Sequence, residues 1–369
     1  MLLIGPYVPV LRWKEAERKA LHKLFNADRE QISPLIEPLT PQANSKGHSK
    51  TVSELATDIP ADIAEYWGQR PIFFDAHLPR HDLNIGQEDS LLREVINHGK
   101  QRNLTIIPVT GLSRPPAYQS AVASAVALMG AGTCVRLTPA DILDTALPKK
   151  LQDLVVSLKQ KEAEIDILVD FRSIFGIQTP NWSDVLARIP QLNEWRTLIS
   201  ASGAFPQDLT KTNGGEPMKP GEHDFPRSDW INWVDHVKSG RLPRRPLFSD
   251  YTIQWALQQK PIQVPNISAS IRYTCEDHWL VMRGEGMQKE GSAGAKQYPA
   301  HAKQLVRKKE FCGAAFSAGD AYIEEKSQEN LQAIKKTGNA RTWIEAGINH
   351  HLTFVARQVA NRFSEKTSA

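Results

Sequence analysis

Residues Ile165–Phe171 read IDILVDF. Apolar side chains run almost without a break between two aspartates, with none of the in–out alternation of a half-solvated strand. That pattern belongs to a strand covered on both faces, as in a parallel sheet flanked by helices. Seven further runs share this character. They are Tyr7–Arg12 (YVPVLR), Ile32–Glu37 (ISPLIE), Pro71–Asp75 (PIFFD), Leu104–Thr110 (LTIIPVT), Gly132–Thr138 (GTCVRLT), Trp195–Ser202 (WRTLISAS) and Arg245–Tyr251 (RPLFSDY). Their starts lie 25 to 50 residues apart, which suits strand–helix units of roughly 30 residues.

Helical patterns fill the gaps. Lys14–Phe25 places Ala16, Ala20, Leu21, Leu24 and Phe25 on one stripe, Asp89–Arg102 does the same with Leu91, Leu92, Val95 and Ile96, and Ala117–Met129 is rich in Ala and Val, so it is expected to be heavily buried. Pro180–Leu192 and Ser228–Val237 are shorter. Eight such units in about 255 residues predict a (β/α)8 TIM-like barrel. The competing doubly wound sheet calls for a glycine-rich turn after its first strand; here that strand is followed by Arg12-Trp13-Lys14-Glu15. The barrel is assigned to residues 1–260. Residues 261–369 form an extension packed on it. Ala269–Thr274 and Trp279–Arg283 read as a C-terminal β-hairpin, and Thr342–Phe363 as a long helix with Trp343, Ile344, Ile348, Leu352, Val355 and Val359 on its apolar side.

The chain has 369 residues, 41% hydrophobic and 23% charged. This composition excludes disorder, collagen and coiled coil as the main state. No apolar run approaches the ~20 residues that cross a bilayer, so no membrane partner is expected. Forty-five Lys and Arg against 41 Asp and Glu leave +4, a surplus that neither demands nor opposes a nucleic-acid partner. The basic clusters Arg241, Arg244, Arg245 and Arg307, Lys308, Lys309 lack interleaved aromatics, so they read as solvated faces. Cys134, Cys275 and Cys312 are far apart and form no CxxC pair, which fits a reducing cytoplasm. The apolar N-terminus, broken by Gly5, Pro6 and Pro9, does not read as a signal peptide.

In such a barrel the site lies at the C-terminal strand ends. Arg12, Glu37, Asp75, Arg136, Asp170 and Asp250 with Tyr251 occupy those ends. Glu37, Asp75, Asp170 and Asp250 are the candidate catalytic residues and the candidate ligands of a divalent ion such as Mg2+. Arg12, Arg136, Tyr251, Lys14 and His350 are the candidate ligand-binding residues. The two arginines favour an anion, because their planar fork matches phosphate or carboxylate. A phosphate-bearing small molecule or a nucleic acid is the expected ligand, with metal-assisted phosphodiester hydrolysis as the expected reaction. The structural alternative is that these carboxylates cap helices and the arginines serve as counter-ions. Asp250, at the end of the last strand, is expected beside Arg12 as an ion pair. A second functional reading is a non-catalytic protein-interaction module using the extension and Trp230, Trp233, Trp255 and Trp279.

The opening YVPVLRWKEAE, then ISPLIEP, the Asp170 strand, GAFP at 203–206, SDY at 249–251, FSAGDAYI at 316–323 and Trp343 with the NHH at 349–351 resemble the beta protein family. The resemblance covers nearly the whole chain. That family occurs in bacterial and phage genomes, which implies a role in phage–host conflict; it brings no established activity.

Overall fold

The computed structural model describes residues 2–39, 50–76, 87–211, 215–257, 267–328 and 337–364. The strands are β1 (Val10–Leu11), β2 (Leu35–Ile36), β3 (Ile72–Phe74), β4 (Ile106–Thr110), β5 (Thr133–Leu137), β6 (Ile165–Ser173), β7 (Thr197–Gly203), β8 (Gly221–Pro226), β9 (Leu247–Ser249), β10 (Ser268–Thr274) and β11 (His278–Gly286). The helices are α1 (Glu15–His22), α2 (Asn26–Arg29), α3 (Val52–Tyr66), α4 (Glu88–Gln101), α5 (Pro116–Met129), α6 (Pro139–Leu143), α7 (Leu147–Leu158), α8 (Trp182–Ala187), α9 (Ser228–Lys238), α10 (Gln297–Leu305), α11 (Ala318–Ser327) and α12 (Ala340–Ser364).

Strands β1 to β7 and β9 pair in parallel, in chain order. The first and last also meet. The Val8 amide donates to the Phe248 carbonyl at 2.9 Å, and the Val10 amide to that of Asp250 at 2.8 Å. The sheet thus closes into the expected (β/α)8 barrel, and all eight predicted runs are its staves. Helix boundaries follow local chemistry. Thr51 and Glu54 form a reciprocal capping box ahead of α3. Helix α5 opens on Pro116 and stops at Gly130, whose φ of 65° is the left-handed conformation a glycine adopts at little cost.

Side chains alternate across each stave. In β3, Ile72 and Phe74 join the layer between strands and helices, whereas Phe73 fills the barrel interior. In β6, Ile167 and Val169 face outward and Leu168 inward. Val8, Val10, Leu35, Ile107 and Ile199 complete the interior. This parity decides which strand-end residues can meet at the mouth.

The predicted hairpin exists as β10 and β11, and a third strand joins it. Residues Gly221–Pro226 form β8, antiparallel to β11. This strand comes from the connection between β7 and α9, so the barrel's own chain contributes to the C-terminal sheet. Its sequence, GEHDFP, is polar, and only Phe225 of the six is buried. An edge strand of that kind is held by backbone bonds and leaves little hydrophobic pattern to read. Helix α12 places Ile348, Leu352, Val355 and Val359 in the same core as Leu21 of α1 and Trp279 of β11. Among the described residues, no helix is long and apolar enough to cross a membrane.

Candidate functional site

Inward parity carries Arg12, Glu37, Asp75, Arg136, Asp170 and Tyr251 to one place above the apolar interior. Arg136 is the hub. Its Nη1 donates to Glu37 Oε1 at 2.5 Å and to Asp75 Oδ2 at 2.8 Å. Its Nε donates to Asp170 Oδ2 at 2.9 Å, and its Nη2 to the Tyr251 hydroxyl at 2.8 Å. That hydroxyl donates in turn to Asp170 Oδ2 at 2.7 Å. Arg12 Nη1 lies 2.9 Å from Glu37 Oε2, and its Nη2 is held by the Ala256 carbonyl.

Two further arginines complete the network, and neither was singled out from the sequence. Arg114, four residues past β4, places Nη2 at 2.9 and 3.1 Å from the two oxygens of Asp75. Its Nη1 is buried with no hydrogen-bond partner among the described residues. Arg172 donates from Nη1 to Glu37 Oε1 at 2.7 Å and places Nε 3.1 Å from Asp170 Oδ2. Its side chain is one-third exposed. The available signal was position: both follow the apolar run of a stave within a few residues, in DFR and GLSRP.

Four guanidiniums therefore face three carboxylates, a surplus of one positive charge. Burial alone would push Glu37 and Asp170 up, but the neighbouring guanidiniums hold both below the usual carboxylate range. Burial raises Tyr251, keeping its hydroxyl protonated. Ionised, fully engaged carboxylates and a protonated phenol suit charge stabilisation better than proton transfer near neutrality.

The backbone around the mouth is strained. Trp13, Arg172 and Thr252 adopt φ of 58°, 55° and 58°; Trp13 and Thr252 lie just past a stave, and Arg172 lies in β6, one residue before its end. For a bulky or β-branched residue the left-handed region is unfavourable, and such strain gathers at functional sites. At Arg172 the register between β6 and β7 also slips, between Asp170 and Ser173. This irregularity re-aims the Arg172 side chain toward Glu37.

Two expected members, Asp250 and His350, are elsewhere. Asp250 shares the outward parity of Phe248, so it faces α12 and does not pair with Arg12. It accepts from the Tyr7 hydroxyl at 2.7 Å and the Thr252 amide at 3.0 Å, and lies 2.9 Å from His351 Nε2. Burial holds His351 below the usual imidazole range, so the ring is neutral. Its Nε2–H then donates to Asp250, and its Nδ1 accepts from the Thr274 hydroxyl at 2.8 Å. His350 is fully buried, with Nδ1 2.8 Å from Asp320 and Nε2 2.8 Å from the Thr274 carbonyl. It is locked between α11, α12 and β10, closed to any ligand. Lys14 is exposed at the start of α1, and its backbone amide bonds Glu17.

The carboxylates do not fit the Mg2+ expectation. The oxygens of Glu37 and Asp75 and Oδ2 of Asp170 face guanidinium nitrogens, Asp170 Oδ1 accepts from the Arg172 amide, and Asp250 lies apart from the other three. Among the described residues, no three His, Cys, Asp or Glu side chains are grouped to hold a metal ion. Of the four tryptophans considered for a partner surface, Trp230, Trp233 and Trp279 are buried and Trp255 is half-buried.

No curated protein matches the chain. The model of the family described as Beta protein matches residues 7–357, nearly the whole length, and takes in the strand ends that build the mouth as well as the extension behind it; the chain belongs to the Beta protein family.

Proposed function

We propose that the barrel mouth binds an anionic, phosphate-bearing ligand, with Arg114 and Arg172 as the receiving groups and Arg12 and Arg136 as their buried support. One observation carries this reading: four guanidiniums gather around three carboxylates at the strand ends, with a buried Arg114 nitrogen left without a partner. Phosphate matches the guanidinium fork in geometry and charge. Such a constellation also stabilises charge developing on a phosphoryl group, so phosphodiester hydrolysis is the reaction class this reading allows. Metal assistance draws less support, because the arginines occupy the carboxylates. The alternative of a non-catalytic interaction module draws less support too, because three of its four tryptophans are buried. A cytoplasmic setting goes with the unbridged cysteines Cys134, Cys275 and Cys312. A role in phage–host conflict is the biological setting we attach to it, checked by infecting cells with and without the gene.

The direct test is a thermal-shift series with inorganic phosphate, phosphomonoesters and Mg2+. A ligand at a hundred times its Kd adds about 2.7 kcal/mol to the stability of the native state. Phosphate compounds are expected to raise the melting temperature, and Arg172→Ala to abolish the rise. A rise with Mg2+ alone and none with phosphate would reverse the assignment.

A further inference from the structure

We infer that the ligand at the mouth is a nucleoside phosphate whose base stacks on Trp255; this rests on the anion-binding reading above. A line of aromatic rings runs from the second sheet toward the mouth. Trp279 meets Phe205 at 5.3 Å, Phe205 meets Phe225 at 6.5 Å, Phe225 meets Phe175 at 6.4 Å, and Phe175 meets Trp255 edge-on at 6.3 Å. The first three rings are buried, as packing between barrel and sheet requires. The last two are only half-buried. Packing accounts for the inner rings and leaves the surface of the outer pair to be explained.

Both outer rings are tied to the arginine network through the chain. Arg12 Nη2 bonds the Ala256 carbonyl and lies 3.5 Å from that of Trp255. Phe175 follows the strained Arg172 by three residues. Trp255 therefore sits where the loop after β9 clamps Arg12, and Phe175 just beyond the irregular end of β6 that aims Arg172. Inorganic phosphate needs only the guanidiniums. A planar ring on the ligand would add a stacking partner for the half-buried Trp255, and every nucleobase presents one. Stacking reads no base edge, so the site takes purine and pyrimidine nucleotides alike.

Isothermal titration of the full chain with inorganic phosphate, ribose 5-phosphate, AMP and CMP tests this. AMP and CMP are expected to bind at least about tenfold tighter than ribose 5-phosphate, within the range of base–aromatic stacking. Trp255→Ala is expected to bring both nucleotides down to the ribose 5-phosphate level. Arg172→Ala is expected to weaken every phosphate-bearing ligand. Saturating AMP is also expected to quench a part of the tryptophan emission that Trp255→Phe lacks, a readout that stands even if the alanine variant does not fold. Equal affinities for AMP and ribose 5-phosphate, or a nucleotide advantage that survives Trp255→Ala, would overturn the inference while leaving the anion site standing. Absence of binding by all four compounds would overturn both.

Discussion

Arg136 shares one guanidinium among Glu37, Asp75 and Asp170, all of them buried. Buried charges are tolerated only when matched, and removing one partner strands the others. Arg136→Met is therefore expected to destabilise the protein by about 3–5 kcal/mol in a urea melt; a loss under about 1 kcal/mol would mean that Arg12, Arg114 and Arg172 compensate fully. Titration gives two opposite slopes. Glu37 and Asp170 are depressed in the folded protein, so their contribution is complete above the unfolded value of about 4 and disappears as pH falls through the depressed range. Asp229 is the reverse: burial and then the Asp250 charge push it up to about 7. Between about pH 4 and 7 the native state holds a proton that the unfolded chain has released, so this contribution is lost as pH rises. Asp229→Asn mimics the protonated side chain. The variant is expected to gain on the native protein in urea melts as pH moves from 5 to 8, and a pH-independent difference would sink the idea. At this scale the sequence was legible wherever parity was respected. Counting alternate positions back from Asp250 reaches Phe248, an outward residue, whereas Tyr251 takes the inward side. Asp250 looked like a mouth residue because the end of a run was read without its face. Arg114 was missed because it lies beyond the end of β4, and Arg172 because it follows the apolar run at the irregular end of β6, where backbone geometry decides where a side chain aims.

Helix α12 carries Gly347 in its interior, where alanine would ordinarily be better by about 1 kcal/mol. A Cβ there would lie 2.8 Å from the Arg272 carbonyl oxygen and 2.8 Å from Ile253 Cδ1. The glycine lets α12 lie directly against β10 and the loop after β9. Gly347→Ala is accordingly expected to destabilise by about 1–3 kcal/mol in denaturant melts despite its better helix propensity, and a stabilised variant would show that the contact relaxes easily. Gly319 of α11 plays the same part against α12, since a Cβ would fall 2.2 Å from the Ala346 carbonyl oxygen. These approaches were not legible, because close packing of one backbone on another leaves no hydrophobic signature. The eight staves were legible because burial on both faces forces continuous apolar runs. Strand β8 lay at the other limit, exposed and polar, with register supplied by its neighbour β11 rather than by its own pattern.

Barrel and extension are joined by more than apolar contact. Arg357 of α12 forms a two-pronged pair with Asp28 of α2, at 2.8 and 2.9 Å. His351 of the same helix bonds Asp250 at the end of β9, and the Arg227 guanidinium, fully buried, binds the Cys275 carbonyl and Gln358 Oε1, each at 2.8 Å. Strand β8 threads from the barrel into the C-terminal sheet, and one core contains both α12 and the barrel helices. With polar and apolar links this closely shared, neither part buries its own surface alone, and the two are expected to unfold as a unit. His351→Ala would test this at a single point. It removes the Nε2–H donor from Asp250 and leaves a cavity beside Thr274, so the loss should be felt at the far end of β9 as well as in α12. In calorimetry the native protein is expected to show one transition with equal calorimetric and van't Hoff enthalpies. The variant is expected to keep that single transition at a lower temperature. Two resolved transitions in the native protein, or a variant in which only the extension melts early while the Arg136 network keeps its anion affinity, would show that the barrel stands without its extension.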